Sequence, residues 1–127
     1  MQIGKTFQFE AAHCLEDWPE GHQCRRLHGH SYKVEVVIEG DVDEEGEHPG
    51  AILDFGILSQ IWKRDFHSRL DHQNLNEVLK IRNTTAETLC VWLFAELEKA
   101  LVAWGKGCYL KMVRVWETES SYAEYSI

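Results

Sequence analysis

No stretch of the chain stays apolar for the roughly 18–20 residues that a membrane-spanning helix needs. The opening residues, MQIGKTFQFEAAH, lack the charged start and apolar centre of a secretory leader. These absences predict a cytoplasmic protein with no membrane partner. Positive charge is scarce as well: thirteen Lys and Arg stand against twenty-one Asp and Glu, a formal net charge of −8. Nucleic-acid affinity comes mainly from neutralising phosphates, so this balance argues against a nucleic-acid partner. A single phosphorylated small molecule is still compatible with it, because a few local cations suffice. Repeats, linkers and low-complexity segments are absent, and 127 residues give one domain, 1–127, with a real core.

Cysteine is present at positions 14, 24, 90 and 108. In the reducing compartment expected here, these remain thiols rather than a disulfide framework. Cys90 sits in an apolar helical stretch and reads as core filling.

What the chain does have is clear periodicity. In residues 5–13, Phe7, Phe9, Ala11 and His13 share one parity, and in residues 30–39 Tyr32, Val34, Val36 and Ile38 do the same. Both segments are predicted strands. The polar stretch between them, CLEDWPEGHQCRRL, is a long loop, of the length usually kept for function. Residues 40–50, GDVDEEGEHPG, form an acidic hairpin connection. Asp54 is placed to cap a helix whose apolar positions are Leu58, Ile61, Trp62, Phe66 and Leu70, and LDHQNLN ends it in a loop. A second helix begins near Thr85, with Leu89, Trp92, Leu93, Leu97, Ala100 and Leu101 as its stripe. Thr84 and Glu87 fit a capping box at its start, and Gly105 and Gly107 mark its end. Strands over 108–117 and 120–126 complete the order β-β-α-α-β-β. The predicted class is α+β: a four-stranded antiparallel sheet with two helices packed on one face.

His28 and His30 are two apart in a segment entering a strand, so both imidazoles project to one side. His13 ends the preceding strand on its apolar face. If the two strands pair antiparallel, the end of one meets the start of the other, and the three imidazoles converge. Three neutral histidines with an open fourth position suit catalytic zinc, whereas structural zinc usually has four protein ligands. Imidazole also suits other first-row metals, so the histidines alone give a metal, with zinc preferred.

Other candidates surround this group. Cys24 lies four residues before His28, beside Arg25 and Arg26. It is a fourth metal ligand, a thiolate base favoured by the neighbouring positive charges, or an ordinary loop cysteine. Asp71 beside His72 suits an acid–base relay as well as a surface pair. Glu117 ends an apolar strand, either as a simple polar terminus or as a carboxylate able to grip a heterocycle with adjacent N–H donors. His22, His48 and His67 are expected on the surface.

Taken in order, FEAAHCL, GHQCRRLHGHSY, ILDF, LDHQNLN, NTTAET and VRVWETESSYAEY run through nearly the whole chain. Together they resemble the 6-pyruvoyltetrahydropterin synthase family, most closely its bacterial 6-carboxytetrahydropterin synthase branch, which serves queuosine biosynthesis. The resemblance implies the tunnelling fold, in which sheets of several subunits join into a barrel. It also implies a homohexamer of two trimers with active sites between subunits. It makes His13, His28 and His30 the zinc ligands and Cys24 the proton acceptor. Asp71 and His72 become the relay, Glu117 the anchor of the pterin ring, and Thr85 a further contact to that ring. The implied substrate is 7,8-dihydroneopterin triphosphate. Arg25 departs from the family pattern, which carries a small residue there, and Thr84 stands where the family usually has proline. Three alternatives stay open: a pyruvoyl-forming synthase, an aldolase-like relative that relies on a glutamate near the cysteine position, and a non-catalytic zinc module with Cys24 as fourth ligand. Cys24 itself argues against the aldolase-like route.

Overall fold

The computed structural model describes residues 1–104 and 107–127. Five strands, β1 (Gln2–His13), β2 (His28–Gly40), β3 (Gln73–Asn74), β4 (Cys108–Trp116) and β5 (Tyr122–Ser126), form one sheet in the order β3-β1-β2-β4-β5. The four long strands are antiparallel neighbours. Alternation in the sequence becomes alternation in burial. Phe9, Ala11 and His13 of β1 and Tyr32, Val34, Val36 and Ile38 of β2 are all buried, while the residues between them are more exposed, except Val37, which is buried as well.

Helices cover that apolar face. Asp54 caps α1 (Phe55–Ile61), its carboxylate accepting from the Gly56 N–H at 2.8 Å. The helix continues through a π-helical turn, Trp62–His67, into α2 (Ser68–Leu70). Phe7 stacks on Trp62 at 4.8 Å and Trp62 on Phe66 at 5.5 Å, so this rod is held to β1 by aromatic faces. After the short α3 (Leu75–Leu79), α4 (Ala86–Trp104) buries Leu89, Leu93 and Leu97. Each such leucine contributes about 1.5–3 kcal/mol of burial. Cys90 is core, as expected: it is 1 % exposed and its thiol donates to the Val113 carbonyl. No helix among the described residues is long and apolar enough to cross a membrane.

Three details differ from the sequence-based expectation. The sheet has a fifth strand, β3, which pairs parallel with Ala11 and Ala12. At two residues it is too short to show alternation. It follows His72, whose left-handed backbone (φ 59) turns the chain so that its N–H donates to the Glu10 carbonyl at 2.6 Å. LDHQNLN is therefore no plain loop, and its last residues open α3, where Asn74 Oδ1 accepts from the Asn76 N–H at 3.0 Å. The cap of α4 is also shifted by one residue. Thr85 Oγ1 accepts from the Thr88 N–H at 3.2 Å, which frees Thr84 to be buried. The 40–50 connection is pinned by one bridge, Asp43 to Ala51. Of the two glycines expected to end α4, Gly107 has φ +67 and Gly105 lies outside the described residues.

Candidate metal centre and its surroundings

The β1–β2 register sets His13 directly opposite His28, and Ala11 opposite His30. The three rings consequently pack edge to face, with centroids 4.6, 5.1 and 4.9 Å apart. One ring nitrogen from each can be chosen so that all three lie within 4.8 Å of one another, a group able to hold a metal ion.

Hydrogen bonds set the protonation of two of the rings. His13 Nδ1 lies 2.8 Å from the Thr84 carbonyl and His28 Nδ1 lies 2.6 Å from the Arg26 carbonyl. A carbonyl can only accept, so each Nδ1 carries a proton, and in the neutral form of such a ring it is Nε2 that offers the lone pair. The Nε2 atoms of His13 and His30 are buried with no hydrogen-bond partner. Leaving a buried polar atom unsatisfied costs on the order of 1–3 kcal/mol, and two such atoms side by side suit a cation. Burial pushes the pKa of His13 down to about 4; its bond to Thr84 opposes this, and the neighbouring His28 and His30 add to it. Burial also lowers the His30 pKa, against the pull of Glu117. Neutral imidazole is the form that binds a metal.

Glu117 completes the local group. Its carboxylate oxygens lie 3.7 Å from His30 Nε2 and 4.0 Å from His13 Nε2. The turn after β4 aims it there, with its N–H donating to the Ser121 carbonyl at 3.0 Å. Cys24 is not one of the three grouped ligands; it lies on a 3-10 turn over Gln23–Arg25. Its N–H donates to His22 Nδ1 at 3.1 Å, and its carbonyl accepts from Leu15 N–H at 2.9 Å. The loop that carries it is tied down by Arg82 and Asn83, both bonded to the Asp17 carboxylate. Those bonds hold the Asp17 pKa below the usual carboxylate range. Arg25 reaches back to the Trp18 carbonyl at 3.2 Å.

Asp71 and His72 form the expected pair, with Oδ2 and Nδ1 2.6 Å apart. Asp71 is fixed by accepting the Glu10 N–H at 2.9 Å, and that bond, followed by the one from His72, depresses its pKa. The pair stands at the β1–β3 edge outside the metal group, and His72 shares an open cleft with His30, Glu10, Ala12 and Gln73. Thr85 caps α4, next in sequence to the Thr84 that holds His13.

Several contributors were not apparent from the sequence. His22 props the Cys24 turn, His67 Nε2 lies 3.5 Å from Asp71, and Asn76 and Thr84 brace His13 from behind. None lies in a local pattern that distinguishes it from a surface or capping residue. The one available signal was the paired threonines in NTTAET, where one hydroxyl is enough to cap the helix.

An α+β sheet with three histidines converging at one strand junction, His13 among them buried, defines a candidate metalloprotein. The family model for 6-pyruvoyl tetrahydropterin synthase matches residues 2–127. The chain belongs to this family. It is 40% identical over 97% of its length to a Synechocystis protein named 6-carboxy-5,6,7,8-tetrahydropterin synthase, covering 91% of that protein. It is 33% identical to a Pyrococcus furiosus protein named dihydroneopterin monophosphate aldolase, over 86% of this chain and 82% of the relative. The solved 6-pyruvoyl tetrahydropterin synthase of Caenorhabditis elegans superposes with a TM-score of 0.83 at 24% identity, covering 100% of this chain and 95% of the other. The fold is thus the tunnelling fold.

Proposed function

We propose that this chain is a zinc-dependent lyase, a 6-carboxy-5,6,7,8-tetrahydropterin synthase. In this reading it converts 7,8-dihydroneopterin triphosphate and water to 6-carboxytetrahydropterin, acetaldehyde and triphosphate, for queuosine biosynthesis in the cytoplasm. The observation that carries it is the cluster of three convergent imidazoles with Glu117 against them, in a chain 40% identical to a protein of that name.

His13, His28 and His30 hold the zinc, and the two orphaned buried nitrogens fit that role. Zinc bound there supplies Lewis acidity that stabilises negative charge on a side-chain oxygen of the substrate. Glu117 accepts from the N–H groups of the pterin ring, Thr85 adds a contact to it, and the reacting carbon is thereby oriented. Cys24, as thiolate, takes a proton from the pterin side of the substrate chain. His72, held by Asp71, handles the second proton. Cys24 and the Asp71–His72 pair stand on elements separate from the histidine group, and in this reading the sites are completed between subunits of a homohexamer of two trimers. Arg25 contacts the triphosphate in this reading, so Arg25→Gly raises KM for it; an unchanged KM removes that role.

The deciding experiment incubates the protein with dihydroneopterin triphosphate and identifies products by mass. Acetaldehyde with 6-carboxytetrahydropterin supports the proposal. 6-Pyruvoyltetrahydropterin without acetaldehyde assigns the pyruvoyl-forming reaction instead. Because one relative is named a dihydroneopterin monophosphate aldolase, the monophosphate is tested in parallel, and its preferential cleavage also overturns the proposal.

A further inference from the structure

We infer that Asn76 and Thr84 form a directional hydrogen-bond relay that positions His13 for metal binding, with the Thr84 hydroxyl as its working link. This rests on the reading of His13, His28 and His30 as the metal site.

The polarity of the relay follows from its far end. Asn76 is 8 % exposed, and its Nδ2 lies 2.7 Å from the Cys14 carbonyl, 2.9 Å from that of Arg82 and 3.2 Å from that of Ile81. Three acceptors at one end require the NH2 group there, so Oδ1 points the other way. Oδ1 then accepts the Cys14 N–H at 2.9 Å and faces Thr84 Oγ1 at 3.4 Å. At the near end, the Thr84 carbonyl already requires a proton on His13 Nδ1. Thr84 Oγ1, 3.0 Å from the same nitrogen, faces a donor and must accept. Its own proton is left for Asn76 Oδ1. Each donor and acceptor along the chain has one consistent role.

The mechanical consequence is local. Asn76 grips both the N–H and the carbonyl of Cys14, the residue after His13, and ties them to the 81–82 backbone. Thr84, 1 % exposed, meets the ring at one atom, Nδ1, with two acceptors, its carbonyl and its hydroxyl. The hydroxyl is a second acceptor for the one Nδ1–H, so it narrows the ring orientations in which that hydrogen bond is kept. A proline at this position would retain the carbonyl but have no hydroxyl. Thr84 is therefore a positioning residue, acting on the metal through His13.

The test measures zinc affinity of the metal-free full chain by chelator competition, for wild type, Thr84→Val and Thr84→Ser. Near-ultraviolet circular dichroism and the melting curve of each metal-free variant report the fold. Thr84→Val, which keeps the shape and the carbonyl, is expected to bind zinc about tenfold more weakly with its fold intact. Thr84→Ser, which keeps the hydroxyl, is expected within about twofold of wild type on the same scale. Unchanged affinity in Thr84→Val, or equal losses in both variants, overturns the relay. Wild type that binds no zinc overturns the metal reading itself, a distinct outcome. If Thr84→Val fails to fold, Thr84→Ser against Thr84→Ala provides the same comparison.

Discussion

At the residue scale, His13 is a base that folding keeps uncharged, and the sign of its pH dependence follows. Its pKa is about 4 in the folded chain against 6.5 for a free histidine. The unfolded chain therefore binds a proton that the folded one refuses across this window. The stability of the metal-free protein is complete above about pH 6.5 and declines as pH falls towards about 4, by up to about 3 kcal/mol from this residue. Urea unfolding of the metal-free protein at pH 7, 5.5 and 4 measures the decline, and a flat profile would refute it. Bound metal is expected to be lost over the same range, because protons compete for the Nε2 atoms. A second pair of substitutions separates ligand from base. His28→Ala removes one of three candidate nitrogens and should abolish tight metal binding. Cys24→Ala should keep both metal and fold while lowering kcat by about 10²–10⁴-fold. Loss of the metal in Cys24→Ala would instead make Cys24 a fourth ligand and favour a non-catalytic zinc module. The three histidines were legible in the sequence because strand parity and one antiparallel pairing suffice to converge them. Thr84 was not, since its role depends on a contact 71 positions away along the chain.

At the element scale, the long periodic segments and the five-residue β5 were legible, and β3 and α3 were not. β1, β2 and α4 run for 12, 13 and 19 residues, and each repeats its apolar pattern several times. β3 and α3 run for two and five residues, and their positions are set by side-chain caps and tertiary hydrogen bonds rather than by periodicity. Asn76 is the clearest instance, because it stitches the end of β1 to the turn after α3. Asn76→Asp replaces the donor group facing three carbonyls with an acceptor, or else turns its charge towards Thr84. Either way a buried charge or unmet acceptors remain, and the metal-free protein should lose about 2–4 kcal/mol. The midpoint of urea unfolding at pH 7 measures this, and a shift equivalent to less than about 0.5 kcal/mol would show that Asn76 is replaceable.

At the scale of the whole molecule, the candidate chemistry is dispersed over one chain. The histidines and Glu117 lie at the β1–β2–β4 junction, while Asp71 and His72 stand on the β1–β3 edge and Cys24 on its own turn. If neighbouring copies complete each other's sites, two inactive variants should rescue one another. Cys24→Ala retains a working His72, and His72→Ala retains a working Cys24. When the two are unfolded together and refolded as a mixture, some interfaces bring an intact Cys24 from one copy against an intact His72 from another. With equal amounts and random assembly, about a quarter of the sites contain both, so turnover should recover to about a quarter of wild type. Each variant refolded alone should stay inactive. A mixture no more active than its components would place Cys24 and His72 of a site on the same chain, and the shared-site arrangement would have to be abandoned.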